Sequence, residues 1–319
     1  MRLLRNVYNL PDDIRGAVVV IGNFDGLHKG HQEVIAAARE VADKSGGPLV
    51  MMTFSPHPQR FFQPDGKPFR LTPFRAKVRA IAELGIDILL VCRFDKKLSS
   101  LSAEEFLESI LYNGIGASHV VVGHDFTFGK QRLGNPELLK LKSKKYGFNV
   151  TIVSPQKDVY GVIYSSSIIR SYLNDGFPEK AAATLGRLWE IEGRVMKGDQ
   201  RGRTIGFPTA NIDPIQYVQP ALGVYAIRVG VTLLGNIQWF DGVANLGIRP
   251  TVYGDRILLE SHLFDFEADL YEKYLRIAFV AYIRPEEKFK NLDALKTQIS
   301  IDSKNSRKIL SDFSLKSTI

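Results

Sequence analysis

Two histidines and two glycines crowd into one short stretch, Phe24-Asp25-Gly26-Leu27-His28-Lys29-Gly30-His31. An apolar run from Ala17 to Ile21 leads in, and a helix-like run from Gln32 to Asp43 leads out. The imidazoles therefore fall on the turn between a buried strand and a helix N-terminus. Such a terminus offers free N–H groups and a positive dipole end to a phosphate. Glycine lets a backbone approach closely, and histidine donates to a polyphosphate as charge builds on it. The chemistry suggested is nucleotidyl transfer. Two other readings stand beside it. His-x-x-His could be half a metal site, although metal pairs on helices usually appear as His-x-x-x-His or beside Cys and acidic ligands. The histidines could also simply cap the helix.

Further candidates follow along the first half. In Thr53-Phe54-Ser55-Pro56-His57-Pro58 two prolines fix the backbone and hold His57 outward. Val122-Gly123-His124-Asp125-Phe126-Thr127-Phe128-Gly129 sets a polar residue and two aromatics at a strand end, a composition suited to a flat, polar-edged ring. In Tyr164-Ser165-Ser166-Ser167-Ile168-Ile169-Arg170 the serines can cap a helix or hold phosphate, and Arg170 can clamp phosphate oxygens. The second half has Gly193-Arg194-Val195, then Gly198-Asp199-Gln200-Arg201-Gly202-Arg203, then Gly206-Phe207-Pro208-Thr209-Ala210-Asn211. Glycines among basic residues suit a flap over phosphates, and no Gly-Lys-Ser/Thr of a Walker loop occurs there.

The elements that must position these residues change character near Gly186. Before it, short apolar runs (17–21, 49–54, 86–92, 119–122 and 149–153) alternate with helix-like runs (32–43, 75–84, 103–112 and 136–146). The strand runs are nearly continuous in apolar character, as strands covered on both faces should be. The pattern predicts an α/β first half, a doubly wound parallel sheet of Rossmann-like form. Helices are predicted over 167–173 and 179–185. Beyond Gly186 the chain is strand-rich, with runs at 188–195, 223–231, 236–244, 257–264 and 275–283 separated by Gly, Pro and Asp. A C-terminal antiparallel β-barrel with a terminal helix over 291–311 is predicted. The domains are expected to be 1–185 and 186–319.

A chain of 319 residues exceeds a typical single core. With 45% hydrophobic and 24% charged residues it has an ordinary globular composition. The net charge of +8 fits nucleic acid or small polyanions such as ATP. The densest basic run, Lys140 to Lys145, reads as a solvated helix face, so no nucleic-acid partner is expected. Cys92 is the sole cysteine and forms no internal disulfide, which fits a reducing compartment. The first ten residues lack the apolar core of a signal peptide, and no run is long enough to span a bilayer. A cytoplasmic enzyme without membrane attachment is expected.

Taken in order, residues 24–31, 53–58, 123–129 and 165–170 resemble the motifs of the bacterial bifunctional riboflavin kinase/FAD synthetases, and the second half matches them too. The resemblance implies that the first half transfers AMP from ATP to FMN with release of pyrophosphate, giving FAD. His28 and His31 would hold the ATP phosphates and stabilise the transition state. Asn23, Phe24, Asp25, Gly26 and Gly30 would line the nucleotide site, with His57, Asp125 and Phe128 as further ligand contacts. Ser165, Ser166, Ser167 and Arg170 would contact phosphates, Ser167 standing where the family usually has threonine. The second half would phosphorylate riboflavin to FMN. There, Gly198, Arg203, Gly206 and Pro208 belong to the ATP flap, Thr209 and Asn211 would bind Mg²⁺, and Glu260 would accept the proton of the riboflavin 5′-hydroxyl. Residues 245–251 match as a mainly structural segment, with Arg249 a weaker candidate for ligand contact. Glu272 departs from the pattern, since the family usually has glycine there.

Overall fold

The computed structural model describes residues 1–197, 206–251 and 254–316. Its compact units are Met1–Lys67 with Phe74–Ser165, and Pro68–Pro73 with Ser166–Ile319.

The first unit is organised around one short strand. In β2 (Val18–Ile21) all four residues are buried. Val19 and Ile21 enter one apolar cluster, while Val18 and Val20 enter another. Period-two alternation therefore sends successive side chains into two separate cores. Strands β3 (Leu49–Ser55) and β4 (Ile88–Arg93) divide in the same way, with Met52 and Cys92 on one side and Met51 and Val91 on the other. Together with β1 (Arg2–Leu4), β5 (His119–Gly123) and β6 (Asn149–Val153) they form a six-stranded sheet ordered β1-β4-β3-β2-β5-β6. Every pairing is parallel. The doubly wound expectation holds. The chain order reverses between β2 and β5, the switch point at which such sheets bind ligands beyond the strand ends.

Helices cover both faces: α1 (Lys29–Ser45), α2 (Pro58–Phe62), α3 (Phe74–Ala82), α4 (Lys96–Ser100), α5 (Ala103–Phe106) and α6 (Pro136–Tyr146). A capping box between Ser102 and Glu105 starts α5. The chain then widens into a π-helical stretch, Leu107–Ile115, that buries Leu107, Ile110, Leu111 and Ile115. Edge strand β1 has no apolar pattern to announce it. It pairs with β4, and Arg2 forms two hydrogen bonds to the Asp13 carboxylate at 2.7 and 2.8 Å.

In the second unit, α7 (Ser166–Asn174) and α8 (Pro178–Leu185) precede a barrel of six antiparallel strands. These are β7 (Trp189–Arg194), β8 (Ala210–Ile212), β9 (Gly223–Leu233), β10 (Asn236–Thr251), β11 (Gly254–Leu263) and β12 (Tyr274–Arg284), ordered β7-β12-β9-β10-β11-β8. A bridge between Met196 and Asn211 brings the two outer strands together. Ile191, Ile212, Ile227, Leu246, Leu259 and Ile277 fill the interior. Strand β10 runs past the expected end at Ala244 because it serves two neighbours, pairing with β9 up to Leu246 and with β11 from Gly242 to Thr251. The terminal helix, α9 (Leu292–Lys316), buries Leu310 and is tied down by Asp302, whose carboxylate accepts from Arg284 at 2.7 Å.

Residues 68–73 come from the sequence of the first half but pack in the second unit. Leu71 is fully buried, its carbonyl accepts from the Trp189 indole at 2.9 Å, and Val218 N donates to Arg70 O at 2.8 Å.

Glu272 occupies the position at which the resemblance implies glycine, and it adopts a left-handed backbone with φ 62°. The Arg194 guanidinium donates to its carbonyl at 3.0 Å and to its carboxylate at 3.1 Å. Both side chains are largely exposed, so the ion pair contributes little. The left-handed conformation costs a non-glycine residue about 1–2 kcal/mol. Glu272→Gly is therefore expected to stabilise the second unit by about 0.5–1 kcal/mol after the entropic penalty of glycine, measured by urea unfolding.

Candidate active sites

At the end of β2 the backbone turns sharply. Phe24 (φ 48°), Gly26 (φ 89°) and Leu27 (φ 51°) all lie in the left-handed region. Two of these are large residues, for which the conformation costs energy. Both side chains are 1% exposed in the apolar core, and that burial holds the strained turn in place. The Asn23 carbonyl is fixed by the Lys77 ammonium at 2.7 Å and by the Thr53 hydroxyl at 3.3 Å. Asp25 and His28 are buried as well, at 3% and 6% exposure.

His28 is the N-cap of α1, its Nδ1 accepting from His31 N at 3.3 Å. The two imidazoles stack with centroids 3.7 Å apart, and Phe24 meets His31 edge-on at 5.2 Å. A side chain at Gly30 would come within 3.2 Å of His28 Nδ1 and 3.3 Å of the Tyr164 carbonyl, so glycine keeps this corner open. His31 Nδ1 is buried and makes no hydrogen bond among the described residues. Burial, then the field of His28, then that of Lys77 push the His31 pKa well below its ordinary value. His31 is thus neutral at pH 7 and sits at the positive end of a 17-residue helix. Among the described residues no group of three or more His, Cys, Asp or Glu is placed to hold a metal, which gives the half-metal-site reading of His28 and His31 no third ligand.

Because the sheet is parallel, the loops after β3 and β5 share this rim. His57 caps α2, its Nδ1 accepting from Gln59 N at 3.1 Å. Asp125 is exposed on the loop after β5. Phe128 turns inward, 6% exposed and stacked on Phe126 at 5.4 Å, with backbone hydrogen bonds to Gly134 at 2.9 and 3.0 Å. It seats the loop. Ser165 is the last residue of the first unit, and Ser166, Ser167 and Arg170 belong to α7 in the second. Arg170 Nε donates to the Phe69 carbonyl at 2.7 Å.

The second constellation lies on the barrel. In the strand register Glu260 stands between Asn211 on β8 and Asn245 on β10. Asn211 Oδ1 is buried and makes no hydrogen bond among the described residues. Pro208, Thr209 and Asn211 line a cleft of ≈ 290 Å³, closed on the other side by Leu263, Phe266 and Tyr271. The Pro208 carbonyl lies 2.8 Å from His262 Nδ1, and Gly206 is an exposed turn residue with φ 88°. Glu260 Oε2 accepts from Arg249 Nη2, and Arg249 Nη1 lies 3.7 Å from Glu286. Burial opposes the charge on Arg249, but its hydrogen bond to Glu260 and the fields of both carboxylates outweigh it and raise the Arg249 pKa. Gly198 and Arg203 lie outside the described residues.

Sequence reasoning missed Lys77 and Glu286. Lys77 had a signal, a lysine on the apolar face of α3 beside Ala76 and Ile81. Glu286 had none.

The model of the FAD synthetase family matches residues 10–167, and that of riboflavin kinase matches residues 185–310. The chain is 40% identical over 308 residues to the bifunctional riboflavin kinase/FMN adenylyltransferase of Escherichia coli strain K12, covering 96% of this chain and 97% of that one. The corresponding protein of Pseudomonas fluorescens is 40% identical over 303 residues, covering 95% and 96%. The chain belongs to this bifunctional family. It is a transferase of FMN and FAD synthesis. A crystal structure described as a macrolide-efflux protein from Streptococcus pneumoniae superposes with TM-score 0.84 at 31% identity, covering 96% of this chain and 99% of that one. Among the described residues no helix is long and apolar enough to cross a membrane.

The neutral His31 makes a pH prediction. The unfolded chain protonates this residue below its ordinary pKa of about 6.5, while the folded chain does not. The unfolded state then binds more protons, so stability present above pH 6.5 is lost as the pH falls, at up to about 1.4 kcal/mol per pH unit. His31→Gln is expected to flatten this slope in denaturant unfolding of the first unit between pH 7 and 5.

Proposed function

We propose that residues 1–185 transfer the adenylyl group of ATP to FMN and that residues 186–319 transfer the γ-phosphoryl group of ATP to riboflavin. The observation that carries this reading is the presence, in one chain, of two separate phosphate-handling constellations: the stacked His28–His31 pair on the N-terminus of α1, and Glu260 between Asn211 and Asn245 on the barrel.

In the first reaction an FMN phosphate oxygen attacks the α-phosphorus of ATP and the bond to the β-phosphate oxygen breaks, releasing pyrophosphate. No covalent enzyme intermediate is needed. Asn23, Phe24, Asp25, Gly26 and Gly30 shape the nucleotide cradle, with His57, Asp125 and Phe128 serving the ligand-binding loops. Ser165, Ser166, Ser167 and Arg170 are the further phosphate contacts. His28 and His31 donate hydrogen bonds to the charge that develops on the phosphates. Arriving polyphosphate places negative charge beside a buried imidazole, which favours its protonated, donating form.

In the second reaction Glu260 takes the proton from the riboflavin 5′-hydroxyl as its oxygen attacks the γ-phosphorus, and ADP leaves. Thr209 and Asn211 offer hard oxygen donors suited to Mg²⁺, and the buried, unbonded Asn211 Oδ1 fits a cation ligand. Magnesium bound there would neutralise phosphate charge. Gly198, Arg203, Gly206 and Pro208 complete the ATP flap. The partners are these small molecules, with no nucleic acid and no membrane, and the compartment is the cytoplasm.

Incubation of the purified protein with riboflavin, ATP and Mg²⁺, followed by separation of the flavins, should yield FMN and then FAD. His28→Ala and His31→Ala should each abolish FAD formation and spare FMN formation, each lost donor raising the barrier by about 3–4 kcal/mol. Normal FAD synthesis in both variants would sink the assignment. Glu260→Gln should stop riboflavin phosphorylation, a loss of about 10²–10⁴-fold, while supplied FMN is still adenylylated. Retained kinase activity would refute the base role.

A further inference from the structure

The outer face of the barrel carries a chain of alternating charge that phosphoryl transfer alone does not explain. Glu260 Oε2 accepts from Arg249 Nη2, and the other arm of the same guanidinium, Nη1, donates to the Ile248 carbonyl at 3.4 Å and pairs with Glu286 Oε1 at 3.7 Å. Glu286 is itself held. Its Oε1 accepts from Asn245 Nδ2 at 3.2 Å, and its Oε2 accepts from Ile248 N at 3.4 Å. A Cβ at Gly247 would collide with its carboxylate, so the missing side chain makes room for this group. The Glu286 and Glu260 side chains are only 31% and 26% exposed. Partial exclusion of water strengthens such contacts relative to a surface pair. Glu286 follows β12, remote in sequence from Glu260, and only the barrel's register brings it here.

We propose that Glu286 is a positioning residue for phosphoryl transfer: it fixes the Arg249 guanidinium so that Arg249 pins one oxygen of Glu260 and leaves the other for the substrate hydroxyl. The inference rests on the reading of Glu260 as the base. An arginine side chain has a flexible stem and a rigid planar fork. Without Glu286 the second arm keeps only its long 3.4 Å hydrogen bond to the Ile248 carbonyl, so the fork is free to shift, and the carboxylate it holds shifts with it. A base displaced by about 1 Å loses on the order of 10²-fold in rate.

The test is a double-mutant cycle on the full chain, with adenylylation of supplied FMN as the internal check on folding. Glu286→Ala, the shape-preserving Glu286→Gln and Arg249→Ala should each lower the kinase kcat by about tenfold or more, with KM for ATP and riboflavin little changed. In the Arg249→Ala background, Glu286→Ala should cost nothing further, because there is no guanidinium left to orient. An unchanged kcat in both Glu286 variants would overturn the proposal, as would an equal loss in both backgrounds. Glu260→Gln separates the two layers. A fully active Glu260→Gln kinase removes the base reading itself, whereas an inactive one with additive Glu286 and Arg249 losses removes only the positioning role.

Discussion

A strand whose two faces are both consumed by core packing has nowhere to put chemistry except its end. That constraint governs the first unit. Val18 to Ile21 spend every side chain on the two apolar clusters, so the polar residues that follow are forced into a tight turn against the helix that comes next. The turn is strained at Phe24 and Leu27, and the same two residues supply the burial that stabilises it. Strain and anchorage are thus properties of one pair of side chains, and His28 and His31 inherit a fixed geometry from them.

The barrel solves the same problem in another way. Part of its outer face is covered by α9, where Val224, Ala226, Val280 and Leu310 form a second core, and where it is left uncovered chemistry can sit along a strand rather than at its tip. Glu260 has buried Leu259 and Ser261 on either side in sequence, pointing into the barrel, while its own neighbours on the outer face are Asn211 and Asn245 across the ladder. The two sites also treat charge differently. His31 is pushed toward the neutral form by burial and by the fields of His28 and Lys77, whereas the Arg249 cation is matched by two carboxylates.

The parts of this design that were legible in the sequence are those in which residue type is restricted by physics. Continuous β-branched runs marked β2 and β5, and glycines beside histidines marked the turn before α1. What stayed hidden depends on register or on tertiary rescue. Strand β8 is three residues long and carries Asn211, so no alternation identifies it. The sequence pattern ends β10 at Ala244, ahead of Asn245, Gly247 and Pro250, yet pairing with β11 keeps the segment extended through Thr251. Phe128 reads as a surface for a ring, but its backbone bridge to Gly134 turns it into the core. The partnership of Arg249 and Glu260 crosses two strands and exists only once they are aligned.

The six residues from Pro68 to Pro73 bear on how this chain can be divided. The two family matches part between residues 167 and 185, but physical cohesion does not follow that division. Leu71 fills the core built around Trp189 and accepts the indole hydrogen bond, and Arg170 holds Phe69 from α7. A gene fission at the boundary between the two activities would hand the kinase fragment a buried indole with no acceptor and a hollow where Leu71 belongs. The second unit thus completes its core with a loop drawn from the sequence of the first half.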